Sequence, residues 1–87
     1  MQNTYHLEKL GRHLKALRHN RGLTQVALAQ RAGVTRLKVI AIEAGRASVA
    51  VGSYARIAAA LGSELDVAPI TRPTLDELGE VFSGQAA

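Results

Sequence analysis

The chain has 87 residues, 47% of them hydrophobic, with two tyrosines, one phenylalanine and no tryptophan. This size and composition predict a single small domain with an aliphatic core. The absence of cysteine excludes a disulfide framework and a thiolate metal site. No apolar run approaches the roughly 18 residues of a membrane helix, and "MQNTYHLEKLGRHLK" at the start lacks the apolar stretch of a signal peptide. We therefore expect a cytoplasmic protein.

The net charge of +4 is unevenly distributed along the chain. Residues 1–46 hold nine lysines and arginines against two glutamates, a balance of +7, whereas residues 47–87 hold two arginines against five carboxylates, a balance of −3. A basic half of this kind favours binding of a polyanion such as nucleic acid. The alternative is an ordinary solvated helix surface, and charge alone does not decide between the two.

The first helix is predicted over about residues 5–20, where leucines recur at helical spacing between charged residues. These leucines are Leu7, Leu10, Leu14 and Leu17. Gly22 follows as a C-terminal stop signal. Gly11 lies inside the predicted helix, where a glycine costs about 1 kcal/mol relative to alanine.

Two short helices follow, over about residues 25–32 and 36–44, and a threonine that suits the N-cap position precedes each. The tight turn between them is built on Gly33, because glycine tolerates the positive φ that such a turn requires. Its length, about three residues, is that of a helix–turn–helix connection. Ala29 supplies the small residue that two closely crossing helices need, so the pattern is more specific than composition.

A fourth helix is predicted over about residues 51–61, and the pattern then changes. Residues 63–70, "SELDVAPI", alternate apolar and acidic side chains, which is strand periodicity. The chain offers no second strand to complete the hydrogen bonds of a solitary one. We therefore predict that two copies pair these strands antiparallel across a two-fold axis, with Leu65 and Val67 at the dimer contact. The alternative is an extended, solvated tail.

Thr74 and Glu77 form a capping box that predicts a short fifth helix over about residues 75–82. Its apolar face holds Leu75, Leu78 and Phe82. The predicted fold class is therefore all-α, with five helices and one short C-terminal β-strand that pairs across a homodimer. We divide the chain into a helix–turn–helix domain, residues 1–62, and a C-terminal dimerisation strand with a short helical tail, residues 63–87.

The stretch "LRHNRGLTQVALAQRAGVTRLKVIAIEAGR", followed after a short gap by "YARIAAALG", resembles the Xre/Cro-type, phage-repressor-like family of helix–turn–helix DNA-binding domains. The resemblance runs from Leu14 to Gly62, a little over half of the chain. It implies a dimeric, sequence-specific repressor of a pseudo-palindromic operator on double-stranded DNA. The two recognition helices would enter successive major grooves roughly 34 Å apart. The implied location is the cytoplasm, in association with the nucleoid.

The resemblance implies a set of DNA-contacting side chains on the second and third helices and on the loop after them. They are Gln25, Thr35, Arg36, Leu37, Lys38, Ala41, Arg46 and Ser48. Gln25 matches a phosphate-contacting position, and the alternative is that it only caps the second helix. Arg18 and Glu43 match a structural ion pair that ties the first helix to the end of the third.

Two cations in the first turn of the third helix lie where the helix macrodipole disfavours positive charge. Arg36 has the geometry to bind guanine O6 and N7 with two hydrogen bonds, and Lys38 suits a phosphate or a guanine. An approaching DNA anion would make this placement favourable. Leu37 and Ala41 depart from the polar residues often found at these positions. Either they touch a thymine methyl group, or Leu37 is packed within the protein.

The predicted strand and the segment "RPTLDEL" are similar to HipB-like antitoxins of type II toxin–antitoxin operons. That resemblance implies autoregulation and a HipA-like kinase toxin as partner. A stand-alone Xre-family regulator is one alternative, and a protein-interaction adaptor that keeps the fold is another.

No catalytic set is recognisable, so we expect no enzymatic activity and no cofactor. The histidines, at positions 6, 13 and 19, have no matching carboxylate cluster, so no metal site is predicted.

Overall fold

The computed structural model describes residues 2–69, and within that range the chain forms four helices and no strand. The helices are α1 (Gln2–Asn20), α2 (Gln25–Ala32), α3 (Arg36–Glu43) and α4 (Val51–Ala60). The four predicted helices of this region are confirmed, with small shifts at their ends. α1 begins three residues before the predicted start, since neither glycine nor proline stands there to stop it. α3 and α4 each end one residue early, which is ordinary for helix ends.

Side-chain caps define where α2 and α3 begin. The Thr24 hydroxyl accepts a hydrogen bond from the N–H of Ala27 at 3.0 Å, and the Thr35 hydroxyl accepts one from the N–H of Lys38 at 3.1 Å. The turn between the two helices contains Gly33 at φ +72°, as predicted for this position. These local contacts set the residue at which each helix begins, and with it which α3 residues lie in its first turn.

The core lies where α2, α3 and α4 meet the inner face of α1. Its buried members are Leu14, Leu28, Ala29, Val39, Ile42, Tyr54, Ile57, Ala58 and Leu61. The core is aliphatic apart from Tyr54, as the composition predicted. Val39 and Ile42 anchor α3 in it, so the opposite face of α3 is held outward.

Two glycines allow α1 to approach the end of α3 closely. A Cβ atom on Gly11 would lie 2.6 Å from the carbonyl oxygens of Ile42 and Glu43, and one on Gly45 would lie 2.5 Å from the Cα atom of Glu8. Gly45 also adopts φ +73°, which side chains rarely tolerate. The cost of Gly11 within α1 is therefore offset by a close helix contact, which the sequence pattern did not reveal.

The predicted strand is absent from the single chain, in which residues 63–69 have no regular structure. Leu65 is half-buried against the core, whereas Val67 is 92% exposed. A strand needs a neighbour for its N–H and C=O groups, and the described residues of one chain provide none. Pairing with a second copy stays a prediction. The predicted fifth helix, residues 75–82, lies outside the described residues.

Among residues 2–69, no helix combines the length and the apolar character needed to cross a membrane.

Candidate nucleic-acid interface

The outward face of α3 carries the predicted reading residues. Thr35, Arg36 and Lys38 are exposed, and Leu37 is 77% exposed, so Leu37 is not packed within the described part of the chain. Ala41 is half-buried one turn further along the same helix. The two cations are thus presented to solvent at the N-terminal end of α3, beside an apolar side chain that suits a methyl group.

The other end of α3 is held by a buried ion pair. The Nε atom of Arg18 donates to Oε2 of Glu43 at 2.6 Å, and Nη2 donates to Oε1 at 3.2 Å. A third bond joins Nη1 of Arg18 to the carbonyl oxygen of Leu23 at 2.8 Å. The two side chains are 8% and 4% exposed. The predicted pair is therefore in contact, and it links the end of α1 to the end of α3.

Gln25 belongs to the same network. Its Nε2 atom donates to Oε1 of Glu43 at 3.2 Å, which orients the amide at the start of α2. The hydroxyl that caps α2 is that of Thr24, so Gln25 has a different task from the cap considered above. An amide nitrogen carries two hydrogens, and the second remains able to donate to a phosphate. Local sequence patterns could not predict this hydrogen bond, because the two residues are 18 positions apart.

Two hollows flank α3. The first, named the α2 hollow, has a volume of about 340 Å³ and is lined by Arg18, Thr24, Gln25, Val26 and Arg36. The second, named the α4 hollow, has a volume of about 490 Å³, and its polar lining is Thr35, Lys38, Ser53 and Arg56. Residues two apart on a helix lie about 200° apart around its axis. Arg36 and Lys38 therefore line hollows on different sides of α3.

The loop after α3 is fixed by a tyrosine. The hydroxyl of Tyr54, on α4, donates to the carbonyl oxygen of Arg46 at 2.8 Å. Burial raises the pKa of this phenol above its usual value of 10.0, because burial penalises the phenolate. The side chains of Arg46 and Ser48 are exposed on this loop. The sequence pattern did not show what the Tyr54 hydroxyl binds, because its partner lies eight residues earlier, outside the helix.

The exposed cations of this surface have no acidic partner among residues 2–69. Within residues 2–69 the ion pair is that of Arg18 with Glu43, so Arg36, Lys38, Arg46 and Arg56 are not neutralised by a described carboxylate. Uncompensated cations on both sides of one exposed helix produce a positive potential that favours a polyanion.

The histidines of α1 do not converge on a site. His13 lies beside an apolar groove, and Nε2 of His19 is 3.2 Å from Nη2 of Arg18. The described residues contain no group of three or more metal-ligating side chains placed to hold an ion.

Comparison with known proteins identifies the class. Residues 9–69 match the family model described as a helix-turn-helix domain, and the chain belongs to that family. It is also similar to a protein of Methanothermobacter thermautotrophicus described as an uncharacterized HTH-type transcriptional regulator. The two are 56% identical over 43 residues, which cover 49% of this chain and 62% of that relative. The match therefore spans less than two thirds of the relative.

Proposed function

We propose that this protein is a sequence-specific DNA-binding transcriptional repressor of the Xre/Cro type. One observation carries the proposal: in a helix–turn–helix domain, α3 exposes Arg36 and Lys38 without any described carboxylate partner. A cation at a helix N-terminus is unfavourable in the free protein. DNA reverses the sign of that energy, because its phosphates and its guanine acceptor atoms supply the missing negative charge.

Each part of the surface has a distinct task in the proposed complex. Arg36 binds the O6 and N7 atoms of a guanine in the major groove, and Leu37 and Ala41 contact thymine methyl groups. In the α2 hollow, Gln25 donates to a backbone phosphate while its bond to Glu43 holds the amide in place. Arg46 and Ser48 bind the backbone from the loop. Phosphate contacts of this kind set position, and base contacts set sequence preference.

A homodimer is the second part of the proposal. An apolar groove of about 450 Å³ lies between α1 and residues 63–67, and we name it the α1 groove. Its apolar lining is Leu10, Leu14, Leu17, Val51, Ala58, Leu65 and Val67. We infer that a second copy covers it when the segments pair across a two-fold axis, which would bury Val67 and place two recognition helices roughly 34 Å apart.

The dimer is tested on the full chain by sedimentation equilibrium. Val67→Asp places a charge in the proposed contact, and the dimer should dissociate to monomers. Ala68 is exposed on the alternate face of the same segment, so Ala68→Asp is the matched control and should remain dimeric. A Val67→Asp variant that sediments as a dimer would remove the shared-strand contact from the proposal.

DNA binding is tested by titrating a labelled duplex from the region upstream of this protein's own coding sequence, with a scrambled duplex as control, at two salt concentrations. Tight binding that prefers the native duplex and weakens with salt supports an autoregulating repressor. Equal binding to both duplexes would contradict self-regulation. A lack of binding even at low salt would favour the protein-interaction adaptor.

We further propose that the repressor is a HipB-like antitoxin, with a HipA-like kinase toxin as its partner. Support comes from the alternating segment 63–69 directly after the helix–turn–helix domain and from the acidic residues that follow it in the sequence. The test is to co-express a kinase-type protein encoded beside this gene. Growth arrest that this chain relieves, together with co-elution of the two purified proteins, supports the antitoxin. Relief without co-elution, or no arrest, favours the stand-alone regulator.

A further inference from the structure

The α4 hollow contains a cation, Arg56, to which the proposed function above gives no task. Arg56 is exposed on α4, and no acidic residue lies near it on that helix. Residues three and four positions away on α4 are Gly52, Ser53, Ala59 and Ala60, none of which is acidic. The ion pair recorded within residues 2–69 does not involve it either. Arg56 therefore has no described partner that neutralises its charge.

Arg56 lies beside the helix–turn–helix turn although it is far from that turn in sequence. A Cβ atom on Gly33 would lie 3.9 Å from Nη1 of Arg56, so the guanidinium group faces the turn between α2 and α3. Lys38 of α3 and the hydroxyl-bearing Ser53 line the same hollow. Two cations that share one concave site repel each other in the free protein, and an anion between them removes that repulsion.

With α3 in the major groove, the α4 hollow would lie next to one strand of the bound duplex. The major groove is about 12 Å wide, and a helix with its side chains is about 10–12 Å across. A recognition helix seated there has a phosphate backbone on each side. Gln25 lines the hollow on one side of α3, and Lys38 lines the hollow on the other.

We propose that Arg56 and Lys38 together bind a backbone phosphate of DNA in the α4 hollow, on the strand opposite the one that Gln25 contacts. This inference rests on the proposed DNA-binding function and adds Arg56 to its binding residues. The contact is independent of base sequence, so it fixes the position of α3 between the two strands and contributes equally on native and scrambled duplexes.

The experiment measures the salt dependence of duplex binding by the full chain and by three variants: Arg56→Gln, Arg56→Lys and Arg31→Gln. The probe is a duplex of about 30 bp, long enough for two half-sites one helical turn apart. Arg31 is the matched control because it is an exposed arginine that lines neither hollow. Thermal unfolding of each variant is recorded alongside, and we expect it to be unchanged for Arg56→Gln.

Arg56→Gln should make the slope of log affinity against log salt concentration shallower by about 0.9 for each bound protomer. A fourfold rise in salt would then reduce affinity about 3.5-fold less per protomer than in the wild type. Arg56→Lys should keep the wild-type slope, and the preference for the native duplex should be equal in all variants. Phosphate ethylation interference should weaken at one phosphate per half-site in Arg56→Gln, because Lys38 alone still contacts that phosphate.

Each result decides between the proposals. If Arg56→Gln keeps the wild-type slope, or changes it no more than Arg31→Gln does, the phosphate contact is wrong while DNA binding itself stands. Weaker binding with an unchanged slope and a lowered unfolding temperature assigns Arg56 a structural role and also overturns the contact. If the wild-type chain binds no duplex at low salt, the proposed function fails and this contact fails with it.

Discussion

The two ends of α3 differ in almost every physical respect. At the C-terminal end, Glu43 is buried, paired with Arg18 and bonded to Gln25, and the backbone lies against Gly11. At the N-terminal end, the side chains are exposed and the cations have no described acidic partner. Within one helix of eight residues, the C-terminal end thus makes contacts that stabilise the fold, and the N-terminal end presents side chains that are free to contact a ligand. Substitutions at the two ends should therefore have separable effects.

The largest effect on stability is expected at the C-terminal end of α3, from Glu43→Ala. Removing one partner leaves the Arg18 guanidinium buried without its counter-charge, which costs about 3–5 kcal/mol of the free energy of unfolding. Domains are typically stable by only about 5–15 kcal/mol, so this loss is a large fraction of the total. Urea unfolding followed by circular dichroism measures the loss.

The exposed Glu64 provides the control, since Glu64→Ala should change the unfolding free energy by less than about 0.5 kcal/mol. The double substitution Arg18→Met with Glu43→Leu removes both charges and should recover much of the lost stability. A double variant as unstable as Glu43→Ala would contradict the role of the unpaired charge.

The helix contact is tested by Gly11→Ala. Alanine favours helix by about 1 kcal/mol, but its Cβ atom would meet the carbonyl oxygens of α3 at 2.6 Å. We expect a net destabilisation of about 1–3 kcal/mol, because overpacking outweighs propensity. Gly52→Ala in α4 is the matched control, since its Cβ atom meets nothing within 4 Å. That variant should be slightly more stable than the wild type, and parallel changes in both would rule out the close contact as the cause.

At the exposed end, Arg36→Ala should leave unfolding unchanged and weaken specific DNA binding by about 1–3 kcal/mol, with relaxed preference at one base position. Binding selection from a randomised duplex pool measures both quantities. Arg31→Ala, which removes an exposed arginine outside the two hollows, should leave the selected sequence unchanged. An identical selected sequence for Arg36→Ala would exclude Arg36 from base reading.

The smallest effect is expected from Tyr54→Phe, which removes the hydrogen bond to the carbonyl oxygen of Arg46 and should cost about 0.5–1.5 kcal/mol. Because the folded pKa is raised above 10.0, the contribution of the phenol is complete below pH 10 and is lost as the pH rises through the folded value. Unfolding measured between neutral and strongly alkaline pH should show this decline in the wild type. A decline of equal size in Tyr54→Phe would assign it to other groups.

Local signals accounted for the helices that carry the site. Thr24, Gly33 and Thr35 act within a few residues of their own positions, so the limits of α2 and the start of α3 were predictable. The role of Gly11 was not, because only packing shows which residue approaches it. The bond between Gln25 and Glu43 was hidden for the same reason.

The strand predicted for residues 63–69 is not confirmed, for a different reason. Alternation around Leu65 and Val67 predicted a strand, but a strand is a property of two hydrogen-bonded segments. In the described single chain residues 63–69 have no second segment to pair with, so local sequence alone does not decide whether they form a strand. Arg56 escaped prediction because its hollow joins α4 to a turn more than twenty residues earlier in the chain, between α2 and α3.

The high exposure of Leu37 has a practical consequence for engineering. Within residues 2–69 this side chain is not part of the core, and the side chain of neighbouring Arg36 is exposed and in no ion pair. A combinatorial library randomised at positions 36 and 37 should therefore consist almost entirely of folded proteins. Selecting such a library on different target sites would show whether one scaffold can be retargeted by its surface alone, without a compensating change in the interior.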